Sequence, residues 1–357
     1  MSIKVYNDFS TLDKNTWVKY FKQDNLFINY NFLNFFSKYH NQIDHIFICE
    51  GRNRFYGNIF NIRVKGLVNF SKNIFFNTFL RLFRFNFFFL SNSFLTNVKS
   101  FDLNDNFSLN EIISKVEEYK VSDFIVVADL LFENDKNKDK PNEYIKIEIE
   151  EEMYLPISSN WNCFDDYSNA LSTKYRKRIN SIFRKSNDIL IRELTVSDLE
   201  MYKEDLQALF NNVISKEIFQ GTRFNTNIFS DLLLNFPTFK VYGYFFESKL
   251  VSFSSEFSHL DNHYSYFVGL DYSLNKKFAL YERILCESIK NAILKKKKNL
   301  IFGRTANEFK SNFGAIPKKS HIYLKINNKL MSFFLAPFLK KLKPKSWIQR
   351  LPFKKGN

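Results

Sequence analysis

The sequence predicts an α/β (α+β) protein of two domains, each a mixed, mostly antiparallel sheet flanked by helices, and three observations carry that prediction. At 357 residues the chain exceeds the roughly 100–200 residues usual for one domain. Hydrophobic residues make up 45% of it and aromatics 18%, with 44 Phe, enough to fill a core in each half and too much for a disordered chain. In the carboxyl-terminal half, apolar repeats of about two and about 3.6 residues follow one another in a definite order, as strands and helices do.

The amino-terminal half offers a helix over 31–39, paired strands over 45–64, a strand over 86–90, a helix over 108–119 and a strand over 123–128. The run 74–95 is apolar enough to resemble a membrane span, but Arg81, Arg84, Asn77, Asn86 and Asn92 interrupt it, so a buried helix and strand are expected instead. The polar stretch 134–142 marks an exposed loop, and the alternation that follows from Tyr144 to Glu150 reads as a strand with one solvated face. A boundary near 158–162 then divides the chain into domains 1–158 and 159–330 and a basic amphipathic tail, 331–357. In the second domain a helix is expected over 164–185, with Asp165 and Asp166 in its first turn and basic residues in its last. A strand over 189–194, helices over 195–213 and 227–236, and strands over 239–247, 249–258 and 263–270 follow. A helix over 277–296, a strand over 299–302, a helix over 306–313 and a strand over 320–326 complete it.

Composition excludes several classes. Cys49, Cys163 and Cys286 are odd in number, far apart and without CxxC spacing, which argues against a disulfide scaffold or zinc ribbon and suits a reducing cytoplasm. The first residues show no apolar core of a signal peptide. His40, His45, His259, His263 and His321 form no metal-ligand spacing, so no metal is expected. The net charge of +15 is concentrated at the end: from Asn291 to Asn357 there are 17 Lys or Arg and one acid, Glu308. A basic tail on a near-neutral body implies an anionic partner, and peripheral contact with a membrane surface or RNA through 291–357 is expected. Residues 331–343 mix apolar and basic side chains as an interfacial helix would; a terminal helix packed on its domain is the competing reading.

Two polar clusters stand out. Gly303-Arg304-Thr305-Ala306-Asn307-Glu308-Phe309-Lys310-Ser311-Asn312-Phe313-Gly314-Ala315 follows an apolar run, as a strand emptying into a charged turn and short helix would. Ser172-Thr173-Lys174-Tyr175-Arg176-Lys177-Arg178 lies upstream. Together they resemble the signature pair of a bacterial acyltransferase group of the GNAT superfamily, related to the FemAB-type aminoacyl transferases of cell-wall synthesis. The order strand, two helices, three antiparallel strands, helix, strand, helix, strand is also that of the GNAT fold. The resemblance implies two GNAT-like domains, the first a degenerate copy, and an N-acyltransferase moving an acyl or aminoacyl group from an activated donor to an amine on a cell-envelope precursor or small molecule.

In that fold the donor binds where two parallel strands splay apart, beside the turn that is Leu270 to Phe278 here. The family's coenzyme A loop carries glycines whose amides approach a pyrophosphate, and this turn has none. The resemblance therefore leaves both an acyl-CoA and an aminoacyl-tRNA open as donor, the departure favouring the second. Asn275, Lys276 and Lys277 are the candidates to hold a phosphate there. Lys174, Tyr175, Arg176 and Arg178 are candidates for anchoring substrate or donor, since guanidinium forks suit carboxylate and phosphate; a solvated basic helix face is the bland alternative. Arg304, Thr305 and Lys310 join the binding set, against a structural ion-pair network. Transfer to an amine needs a base, for which Glu308 and Glu256 compete, and a proton for the leaving group, which Tyr281 offers unless it is a core tyrosine. The non-catalytic alternative is a GNAT-fold binding protein docked through its basic carboxyl-terminal region.

Overall fold

The computed structural model describes residues 5–6, 9–19, 25–63, 84–103, 108–132, 144–215 and 223–354. The helical part expected within 74–95 and the loop 134–142 lie outside the described residues. In chain order the elements are β1 (Val5–Tyr6), α1 (Lys14–Val18), α2 (Tyr30–Tyr39), β2 (Asp44–Glu50), β3 (Asn53–Arg63), β4 (Arg84–Phe89), β5 (Phe101–Asp102), α3 (Leu109–Tyr119) and β6 (Phe124–Ala128). There follow β7 (Ile145–Pro156), α4 (Phe164–Ala170), α5 (Thr173–Lys185), β8 (Leu190–Glu193), α6 (Val196–Met201), α7 (Lys203–Ile214), α8 (Ile228–Asn235), β9 (Lys240–Phe246), β10 (Lys249–His259) and β11 (Asn262–Leu270). The last are α9 (Tyr272–Phe278), α10 (Leu280–Leu294), β12 (Asn299–Gly303), α11 (Asn307–Ser311), β13 (Ile316–Ile326) and α12 (Lys329–Leu339).

The chain forms two compact units, neither of them contiguous. Unit 1 is Met1–Ile149, Ile218–Asn225 and Ser320–Pro344; unit 2 is Glu150–Glu217, Thr226–Lys319 and Lys345–Asn357. In unit 1 the strands run β1-β2-β3-β4-β6-β13, antiparallel throughout except for β4 beside β6, with β5 on β3. In unit 2 they run β8-β9-β10-β11-β12-β7, again antiparallel except for β11 beside β12. The two orders are the same, rung for rung in sense, so the expectation of two copies of one α/β architecture is met. The copies have exchanged their last strands. The strand that follows β6 in the chain, β7, completes the sheet of unit 2, and the strand that follows β12, β13, completes that of unit 1.

Each unit has its own core. Ile46, Ile48, Phe55, Phe88, Ile125 and Tyr323 belong to that of unit 1, and Met153, Leu155, Tyr167, Leu285, Ile289 and Phe313 to that of unit 2. The alternation over β7 behaves as its pattern predicts, with Ile145 and Ile147 buried and Lys146 exposed.

Three helices expected as continuous are broken. The run 164–185 is interrupted because Leu171 is extended and bridges Phe353, while the Ser172 N–H donates to Pro352 O at 2.8 Å and Lys354 N–H to Ala170 O at 3.1 Å. The partners of these backbone groups lie about 180 residues downstream, where no local pattern reports them. The run 277–296 starts earlier and breaks at Ala279, which takes a left-handed φ of 51° between α9 and α10. The run 195–213 divides at Tyr202, after a capping box in which the Thr195 hydroxyl accepts from Asp198 N–H and the Asp198 carboxylate accepts from Thr195 N–H.

Candidate functional site

All the candidate residues lie in unit 2, where the sheet opens. The parallel strands β11 and β12 pair at Asn262 with Asn299, His263 with Leu300 and Tyr264 with Ile301, and the register stops there although β11 continues to Leu270. On its other side β11 shifts register against β10 between Ser254 and Glu256. The Ser255 hydroxyl holds that irregularity, accepting from Phe267 N–H at 2.9 Å and donating to Phe267 O at 3.0 Å. The carboxyl-terminal halves of β11 and β12 thus diverge into a wedge, which the turns into α9 and α11 flank.

The turn from β12 to α11 is strained. Gly303, Thr305 and Ala306 have φ of 73°, 67° and 52°, and a β-branched residue in that region costs on the order of 1–3 kcal/mol. Lys310 compensates. Its side chain is buried, and its ammonium donates to the carbonyls of Phe302, Gly303 and Arg304 at 2.9, 3.2 and 2.6 Å, tying the end of the strand to the helix that follows. Asn307 Nδ2 fastens the same turn to β7 through Glu151 at 3.0 Å.

Beside this turn three helices meet at Phe309. The Arg178 guanidinium on α5 sits 5.3 Å from the centroid of its ring, and the Tyr281 ring on the first turn of α10 lies 5.4 Å away on a tilted plane. Asn275 reaches from α9 to accept the Tyr281 backbone N–H at 2.9 Å. Tyr175 is half-buried against the core, with the exposed Lys174 ammonium 5.6 Å from its ring, and Arg176 is half-buried on the same helix. Lys276 and Lys277 are exposed on the last turn of α9, where Lys277 also lies over Phe246 and Phe278. At the start of α9 the Asp271 carboxylate accepts from the N–H and hydroxyl of Ser273 at 2.9 and 2.6 Å. The starts of α9 and α10 therefore present two amides already taken, those of Ser273 and Tyr281, and one negative charge.

The two candidate bases have opposite surroundings. Glu308, on the first turn of α11, pairs with Arg350, whose guanidinium, with a hydrogen bond from the Ile348 N–H, holds the carboxyl below the usual carboxylate range. Glu256 is fully buried on β10. Burial raises its pKa, but His263 Nε2 at 3.0 Å, Ser288 Oγ at 2.6 Å and Asn291 Nδ2 at 2.8 Å outweigh that and favour the carboxylate. Ser258 meets the other nitrogen of His263 at 2.8 Å. Ser288 and Asn291 lie two to three turns along α10 from Tyr281, so Glu256 stands apart from the group around Phe309.

Several participants were invisible in the sequence. The carboxyl-terminal segment crosses unit 2 as a strap: Trp347 Nε1 donates to Glu151 at 2.7 Å, Arg350 N–H to Ser311 Oγ at 3.0 Å, and the Phe353 ring packs tilted against Trp161 and edge-on to Tyr167. No spacing rule links Glu308 to Arg350, or β7 to Trp347. His263 and Asp271 carried weak signals, an alternation with Glu256 across a hairpin and a helix N-cap. Among the described residues no group of three or more His, Cys, Asp or Glu is placed to hold a metal ion. Cys49 and Cys286 are buried and Cys163 is exposed; burial pushes the Cys286 thiol up.

No family model matches the sequence, and no curated protein matches it. Solved structures do. FemX is similar over 87% of this chain and 94% of its own, at 11% identity and a TM-score of 0.51. A conserved protein of unknown function from Bacteroides thetaiotaomicron is similar over 90% and 99%, at 13% identity and a TM-score of 0.50. The carboxyl-terminal domain of a putative lysylphosphatidylglycerol synthetase from Agrobacterium fabrum follows at 8% identity, 86% and 89% coverage and a TM-score of 0.48. At these identities the likeness is one of fold: the chain has a FemX-like fold, in which two units share one sheet order.

Proposed function

We propose that unit 2 is an N-acyltransferase that moves an acyl or aminoacyl group from an activated donor to an amine acceptor. The observation that carries this reading is the wedge between β11 and β12, flanked by the Arg178–Phe309–Tyr281 group. Arg176 and Arg178 bind the anionic part of the donor, and the Tyr281 hydroxyl supplies the proton that the leaving group needs. Glu308 takes the proton from the attacking amine once Arg350 is displaced, because a carboxylate neutralised by a guanidinium is a poor base. The Asp271 carboxylate and the amide taken by Asn275 leave little room for a pyrophosphate cradle at the starts of α9 and α10, which favours aminoacyl-tRNA over acyl-CoA as donor. An amine on a cell-envelope precursor is the acceptor in this reading.

Thermal-shift titration with acetyl-CoA, longer acyl-CoAs and charged tRNAs tests the donor, since a ligand of the folded state raises the midpoint. Transfer to a panel of amines tests the reaction. A charged tRNA is expected to shift the midpoint, and Arg176→Ala with Arg178→Ala to raise KM for it by about tenfold or more, the loss of one charge-assisted contact. Neither binding nor transfer with any donor would sink the proposal. The second reading, a binding protein that docks on a membrane surface or RNA through 291–357, is favoured by the ion pair that masks Glu308, and would then stand.

A further inference from the structure

Unit 1 carries a helix that is apolar on nearly every side. In α12 no residue is buried, and Leu330, Phe333 and Phe334 are 69%, 75% and 56% exposed. These positions, with the exposed Pro337 one turn on, fall on one face at spacings of three and four, so the apolar stripe looks outward where a surface helix ordinarily shows its polar side. Lys329 stands at the start of the helix, and Lys340, Lys341, Lys343 and Lys345 follow its end; between 329 and 345 there is no acidic residue. The lysines at the ends of the helix are exposed, as are Lys343 and Lys345.

We propose that α12 docks this protein on an anionic lipid bilayer, its Leu330–Phe333–Phe334 face entering the acyl boundary and its flanking lysines meeting the phosphate headgroups. The inference narrows the membrane-or-RNA alternative and does not depend on transferase activity. RNA offers stacking to Phe333 and Phe334 but nothing to Leu330 and Pro337, whereas a bilayer offers the whole face a hydrocarbon layer and the lysines negative charge at the matching depth. A second copy of the same face fits poorly, because two-fold pairing would set lysines against lysines with no acid to receive them.

The test is co-sedimentation of the full chain with vesicles of phosphatidylcholine alone and of phosphatidylcholine mixed with phosphatidylglycerol. Binding to the mixed vesicles is expected to be about tenfold tighter or more, given about 1 kcal/mol per lysine near a charged surface. Phe333→Asp with Phe334→Asp is expected to abolish it, and Lys340→Glu with Lys341→Glu to remove the preference for the anionic lipid. Because these side chains are exposed, both variants should keep the wild-type circular dichroism, and Lys249→Glu serves as a charge control that leaves binding intact. Failure of the wild type to bind either vesicle would overturn the proposal, as would vesicle binding unchanged in the phenylalanine variant. A dimer in light scattering that the phenylalanine variant converts to monomer would assign the face to a second copy instead, and single-stranded RNA binding without vesicle binding would assign the lysines to RNA.

Discussion

Buried His40 shows how one side chain ties separated segments of unit 1 together. Its Nδ1 faces Phe36 O at 2.9 Å and its Nε2 accepts the Asn225 N–H at 3.0 Å, which fixes the neutral ring with its proton on Nδ1. Burial, with a smaller contribution from His45, lowers its pKa to about 4. Since the unfolded chain then binds the extra proton first, stability is full above pH about 6.5 and falls as pH drops toward 4. The loss is expected to be on the order of 3 kcal/mol, read as a falling urea midpoint over that window that flattens in His40→Gln. Nothing near His40 in sequence predicted this role. The candidate site was legible in just the same uneven way: Arg178, Tyr281 and Glu308 were named because their residue types suit the chemistry, while the pairing of Glu308 with Arg350 was missed because it is set by the tertiary path of the tail.

At the scale of elements, strands and helices were legible where period and caps agreed, and their interruptions were not. The alternation of β7 and the three hairpin strands β9, β10 and β11 follows directly from side-chain pattern, with the β9–β10 turn closed by left-handed Glu247 and Ser248. The break between α4 and α5 depends on the strap instead, and so does the end of α11. Gly314 there has φ of 88°, and a Cβ on it would meet the Phe353 ring at 2.4 Å. Gly314→Ala is therefore expected to cost about 2–4 kcal/mol, the sum of a left-handed alanine and a displaced core ring, measured as a lower urea midpoint. Gly314→Ala should also loosen the strap, so that amide exchange quickens at Ser172 and Lys354, whose N–H groups bond across it.

For the whole molecule, the two-copy architecture was expected, but the exchange of last strands was not, since β7 and β13 read as ordinary terminal strands of their own halves. Pairing partners at that distance leave no trace in local periodicity. A fragment ending at residue 149 lacks β13, so the fully buried β6 would keep an open edge; it is expected to elute as aggregate in size exclusion, whereas the full chain does not. The same exchange sets a clock on synthesis. Ala128 pairs with Ile322, so after β6 has left the ribosome the strand that covers it is still untranslated, and at about 5–20 residues per second the nascent chain must shield that edge for roughly 10–40 s before it can close.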